Sequence, residues 1–247
     1  MTNARPETQW SLLGEAVIAF GRRLPRRAMP LPPGIHGLPG PTAIVAERFA
    51  DSPVGPYVSL SIGRPARLGL RPGYFFGLSV LNNGDARRLG RRYWGFPHEL
   101  GNVVWGIDGD RRSVIWEERG IELRFGAGRR PLPILLPVRS LQQRSDGPVV
   151  VPSRLRAMAR KTVIDVEMAD DDPLVSLSGR RGGFVLSGML LRRHPARHPL
   201  GMFATLRAPL GSPEPGVVGM DLIQAEVSTG WTKKVKWPRP RAYSSVG

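Results

Sequence analysis

From Thr42 onward, apolar and polar residues mostly alternate with a period of two. Val58, Leu60 and Ile62 face one way and Tyr57, Ser59 and Ser61 the other. Ile121, Leu123 and Phe125 alternate with Glu122 and Arg124, and Ile164, Val166 and Met168 alternate with Val163, Asp165 and Glu167. Successive side chains of a strand point to opposite faces, so these segments are predicted strands. Gly73 to Leu81 and Phe184 to Leu191 are more continuously apolar, which predicts strands covered on both faces. One segment differs: Asp85 to Tyr93 reads as a short helix, with Asn82 or Asn83 available to cap it. Before Thr42, the apolar positions Leu12, Leu13, Val17 and Phe20 fall near helical spacing behind a Ser11 cap and predict an amphipathic helix. Arg22 to Arg27 and Pro30 to Gly34 then break that pattern and read as a basic, proline-rich arm.

These elements amount to an α+β fold that is predominantly antiparallel β, and the 30 glycines and 25 prolines supply the turns between short elements. No composition shift interrupts residues 42–230, which are expected to form one domain behind the arm of residues 1–41. Residues 231–247, basic and punctuated by proline, are expected to form a flexible tail. The hydrophobic fraction of 41% suffices for a soluble core, and no run approaches the length of a membrane-spanning helix. The chain contains no cysteine, which excludes disulfides, thiolate nucleophiles and cysteine-held metal sites and fits a cytoplasmic location. Its formal charge is +16, but only four of the 36 basic residues are lysines. The arginines are scattered among prolines, glycines and alanines, so the charge reads as a solvated basic surface, not as a nucleic-acid interface.

Residues 55–101 carry a more specific pattern. Gly55-Pro56-Tyr57 is followed by the strand Gly73 to Leu81, by Asn82-Asn83-Gly84-Asp85-Ala86, and by Gly90-Arg91-Arg92-Tyr93-Trp94-Gly95-Phe96-Pro97-His98-Glu99-Leu100-Gly101. In order and spacing this resembles the acetoacetate decarboxylase family, whose pattern runs through a Gly-x-Tyr strand and an Ala-rich helix to Gly-Arg-Glu, an aromatic residue, Pro-Lys-Lys and Leu-Gly. The resemblance implies a cone-shaped, mostly antiparallel β-barrel with a few short helices. It also implies a small-molecule carbonyl substrate, no cofactor beyond the protein's own residues, and homo-oligomeric assembly. The family's chemistry needs a lysine amine kept neutral by desolvation and a second cation, so that it forms an imine with a ketone.

The chain keeps the Gly90-Arg91 of this pattern, but each of its departures from the family falls at a charged position. The first lysine falls on His98 and the second on Glu99; a family glutamate falls on Ser59, and the glutamate of Gly-Arg-Glu on Arg92. Imidazole forms no stable imine with a ketone, and no lysine precedes Lys161. The expectation is therefore a decarboxylase-like or cyclase-like enzyme of specialised metabolism acting on a β-keto or polyketide-like carbonyl compound by acid–base chemistry. His98 and Glu99 are the catalytic candidates, because imidazole titrates near neutrality and a carboxylate can orient it. Tyr57, Ser59, Arg91, Tyr93, Trp94 and Phe96 are the candidate substrate-binding residues. Lys161 is a second place for an amine. Two other readings stay open: a catalytically silent ligand-binding barrel, and a basic protein that binds nucleic acid or an acidic carrier domain. No metal site is expected, since Pro195 and Pro199 keep His194 and His198 from helical spacing.

Overall fold

The computed structural model describes residues 9–24 and 26–193, which belong to one compact unit. The strands are β1 (Gln9–Gly21), β2 (Ile35–Gly37), β3 (Thr42–Asp51), β4 (Tyr57–Leu68), β5 (Arg71–Leu81), β6 (His98–Leu100), β7 (Val103–Asp108), β8 (Arg111–Trp116), β9 (Ile121–Gly126), β10 (Leu132–Arg144), β11 (Gly147–Glu167) and β12 (Gly179–Arg193). Among the described residues one α-helix, α1 (Gly84–Leu89), runs into a π-helical turn at Gly90–Trp94. Strands β10, β5, β4, β3, β1, β12 and β11 follow one another in the sheet, and β10 pairs with β11 to close the ring. All ring pairings are antiparallel except β10 with β5, which meet in parallel at Ser140 and Tyr74. The expected β-rich fold is thus present as a ring-like sheet. Strands β9, β8 and β7 form a meander hung on the far end of β11, where Ile164 to Glu167 pair with β9.

The N-terminal segment corrects one expectation. Residues read as an amphipathic helix form strand β1, paired with β12 along one edge and β3 along the other. Its faces are covered at different places. Trp10 and Leu12 pack in one cluster, Val17 and Ala19 in another, and Leu13 and Phe20 stay exposed. Burial therefore switches parity along the strand and imitates a helical spacing. The proline-rich segment is likewise no separate arm: Leu24, Met29 and Ile35 enter the main core, and the buried Arg64 donates to the carbonyl of Met29 at 3.1 Å. Residues 194–230 of the expected barrel domain and the tail 231–247 lie outside the described residues, as do His194 and His198.

Helix α1 forms as the capping chemistry requires. Asn83 Oδ1 accepts from the backbone N–H of Ala86 at 2.9 Å, Asp85 sits in the first turn, and Arg87 and Arg88 in the last. The π-helical turn ends at Gly95, whose φ of +72° suits glycine and whose missing Cβ lets the carbonyl of Gln143 approach; an added Cβ would meet it at 2.5 Å. This contact fixes the segment that follows, Phe96 to Leu100, against β5 and β10. The main core fills the space between the ring and the meander, and a second cluster of Trp10, Leu12, Phe49, Tyr57, Leu81, Ala86, Trp94 and Phe96 packs the helical segment onto the ring. Among the described residues, no helix is long and apolar enough to cross a membrane.

Candidate functional site

Alternate residues of three neighbouring strands line a cavity of about 640 Å³. Strand β1 contributes Gly14, Ala16 and Ile18, β3 contributes Val45, Glu47 and Phe49, and β12 contributes Leu186, Gly188, Leu190 and Arg192. The period of two places these side chains on one face, and that face is apolar except at Glu47 and Arg192. Ser61, Ser140, Ser153 and Phe96 also line the cavity.

Glu47 keeps some surface open to the cavity, yet protein surrounds it and withholds solvent from its carboxylate. Desolvation raises its pKa above the ordinary 4.5, while the positive charge of Arg192 and a hydrogen bond from Ser59 pull the other way. Ser59 Oγ donates to Glu47 Oε2 at 3.0 Å across paired positions of β4 and β3. A carboxylate is thus delivered at Ser59 from the adjacent strand. Arg192 is 8% exposed, and its guanidinium lies 4.7 Å from the Phe96 ring centre and 5.5 Å from that of Trp94. Cation–π contact holds the charge against an apolar wall.

His98 is 7% exposed and is absent from the cavity wall. Its Nδ1 and Ser79 Oγ are 2.7 Å apart, and Ser79 Oγ is 2.7 Å from Ser61 Oγ, which does line the cavity. Phe96 stacks on the imidazole with ring centres 5.0 Å apart and planes 10° from parallel, and Gly90 makes room for the other side of the ring. Desolvation first, then the charges of Arg192 and Arg91, lower its pKa from 6.5 to about 3, so the imidazole is neutral over the physiological range. Glu99, the expected partner, is exposed and points away from His98 on β6, as neighbouring residues of a strand must. The structure does not bring the two together.

Of the expected binding residues, Phe96 lines the cavity and Ser59 reaches it through Glu47. Tyr57 packs on Phe49 with ring centres 5.0 Å apart, and burial drives its phenol pKa upward. Trp94 is buried beside Trp10, Tyr93 is half-buried under Arg92, and Arg91 is exposed on the π-helical turn. Lys161 is exposed on β11, outside the cavity wall. Sequence reasoning missed Glu47 and Arg192.

The depressed pKa of His98 has a measurable consequence. Its folded value lies below the ordinary one, so between pH 6.5 and about 3 the unfolded chain binds a proton that the folded chain refuses. The contribution is complete above pH 6.5 and disappears as pH falls toward 3. Stability from urea titrations at successive pH values is expected to fall across this window in the wild type and more shallowly in His98→Asn; parallel slopes would refute the assignment.

No family model and no curated protein matches the chain. Solved structures do. An acetoacetate decarboxylase from Legionella pneumophila superposes with a TM-score of 0.57 at 19% identity, over 79% of this chain and 91% of that one. The enduracididine biosynthesis enzyme MppR, complexed with pyruvate, gives a TM-score of 0.58 at 17% identity over 76% and 89% of the two chains. An acetoacetate decarboxylase-like enzyme from Sphingomonas wittichii gives 0.57 at 13% identity over 77% and 92%. With its ring-like antiparallel sheet and near-complete coverage of these structures, the chain has the acetoacetate decarboxylase-like fold.

Proposed function

We propose that this chain is an enzyme that generates the enol of a largely apolar β-keto or polyketide-like compound in the ring cavity, by acid–base chemistry and without an imine. The observation that carries this reading is Glu47: a carboxyl group with a raised pKa, set into an apolar cavity and accompanied there by Arg192. In the protonated form that desolvation favours, Glu47 donates to the ketone oxygen. For a β-keto acid, the carbon–carbon bond to the carboxylate breaks and its electron pair becomes the enol double bond. The ketone oxygen takes the Glu47 proton, and carbon dioxide leaves. The enol then returns to the ketone or attacks a second carbonyl, which gives a cyclised or, after loss of water, dehydrated product. Arg192 binds the carboxylate or the enolate oxygen. MppR, of the same fold, holds pyruvate, which supports a carbonyl ligand here.

His98 occupies the lysine position and serves as a neutral positioning residue, orienting Ser61 through Ser79. The space of about 640 Å³ exceeds what a short keto acid fills and favours longer substrates. Homo-oligomeric assembly, a cytoplasmic location and a role in specialised metabolism belong to the same proposal.

The test is to incubate the protein with short-, medium- and long-chain β-keto acids. Carbon dioxide release above the uncatalysed rate is expected, greatest for the longer chains, with protein mass unchanged after borohydride. Saturable binding without accelerated release would make the chain a ligand carrier. A borohydride-trapped adduct would restore imine chemistry.

A further inference from the structure

Helix α1 and the π-helical turn place Arg87, Arg88, Arg91 and Arg92 along one cleft of about 910 Å³, and Arg144 of β10 faces them. Arg88 pairs with Asp85 at 2.9 Å and Arg144 with Asp146 at 2.9 Å. Among the described residues, no carboxylate pairs with Arg87, Arg91 or Arg92, and no acidic residue lines the cleft. Arg87 and Arg91 stand four residues apart, as do Arg88 and Arg92, so a very short helical segment carries like charges at a spacing that disfavours helix. A bound anion removes that repulsion.

The rest of the cleft wall is part polar and part apolar. Gln142 is fully buried in that wall, and neither atom of its amide finds a hydrogen-bond partner among the described residues. Buried amides are nearly always satisfied, so an unpaired one beside a cationic cleft suits a ligand oxygen or an ordered water. Phe75 and Phe96 form the apolar part of the wall, and Phe96 also lines the ring cavity on its other side.

We propose that this cleft binds the phosphate or diphosphate group of a small organic ligand. Three guanidinium groups without a carboxylate partner match a multiply charged anion better than a single carboxylate, and the planar fork of arginine suits phosphate oxygens. The scatter of arginines elsewhere gives no comparable convergence on one cleft. Because Phe96 is shared, the phosphate group sits one aromatic ring away from the cavity that holds Glu47.

The probe is inorganic pyrophosphate, with binding to the full chain measured by calorimetry at low and moderate salt. Saturable one-to-one binding is expected, weakening as salt rises. Arg91→Gln/Arg92→Gln is expected to weaken it at least tenfold. Arg111→Gln/Arg129→Gln, which removes the same charge from exposed positions elsewhere, leaves it unchanged. A nucleoside diphosphate is expected to displace pyrophosphate and to bind more tightly than it; weaker binding than free pyrophosphate would overturn the assignment to an organic ligand. Equal weakening in both double variants, no saturation, or duplex DNA that displaces pyrophosphate as readily as a nucleoside diphosphate does would overturn the proposal. Pyrophosphate binding needs no turnover, so its failure is distinguishable from failure of the reaction assigned to Glu47.

Discussion

Replacing Glu47 by glutamine is expected to lower turnover of the preferred β-keto acid by roughly 10²- to 10⁴-fold, the usual contribution of a positioned proton donor. The amide keeps the size of the side chain and an oxygen that can accept from Ser59, so packing and ligand affinity should change little. Desolvation disfavours the charged carboxylate at this position, and a neutral amide avoids that cost. The variant should therefore fold as well as the wild type. The pH profile supplies a second readout. The active form is protonated, so the wild-type rate should fall as pH rises through the elevated pKa of Glu47, and the residual rate of the variant should not follow that curve. Unchanged turnover in Glu47→Gln would remove this residue from the mechanism, whatever the fate of the cavity.

Trp94→Ala is the substitution with the largest expected effect on stability. Trp94 is 1% exposed, meets the edge of Trp10 with ring centres 4.5 Å apart at 82°, and supports the guanidinium of Arg192. Truncating a buried tryptophan removes its transfer free energy and leaves a void, for a loss of about 3–5 kcal/mol. In a domain of this size that corresponds to a drop in Tm on the order of 10 °C, read by thermal denaturation. Phe184→Ala, at a position 40% exposed, should move Tm far less. The tryptophan variant also tests the site, because Arg192 and Phe96 lose a common support and binding should weaken beyond what stability explains. A shift in Tm no larger than that of Phe184→Ala would mean that the second cluster does not hold the helical segment in place.

Much of the fold follows from alternation that can be read directly. Ile121, Leu123 and Phe125 are buried as their period requires, and Asn83 caps α1. Strand β1 defeated the same reasoning because its two faces are covered at different ends. Trp10 and Leu12 pack on one side and Val17 and Ala19 on the other, and β3 shifts register opposite Leu13 and Gly14. A period of two is visible only when one face stays buried throughout.

The position of His98 was legible from the Gly90 to Gly101 motif, but its partners were not. Ser79 and Ser61 approach it through strand pairing between residues far apart in sequence. Glu47 did leave a signal, since it is the one carboxylate among Ala43, Val45 and Phe49 on the cavity face of β3. Arg192 left none: among so many arginines, only the fold shows that this one is buried beside the cavity.

Strand β1 meets β12 from Gln9 and Arg193 onward, far apart in sequence, whereas β10 and β11 form a hairpin that needs no distant partner. During synthesis the first strand must wait for almost the whole described chain to leave the ribosome before its second edge is occupied. Until then an unpaired edge rich in apolar residues is open to other chains. Contacts between residues so far apart in sequence also slow the search for the native state. Dependence on chaperones, and loss of yield when synthesis is fast, are therefore expected of a ring whose first strand finds its second neighbour so late.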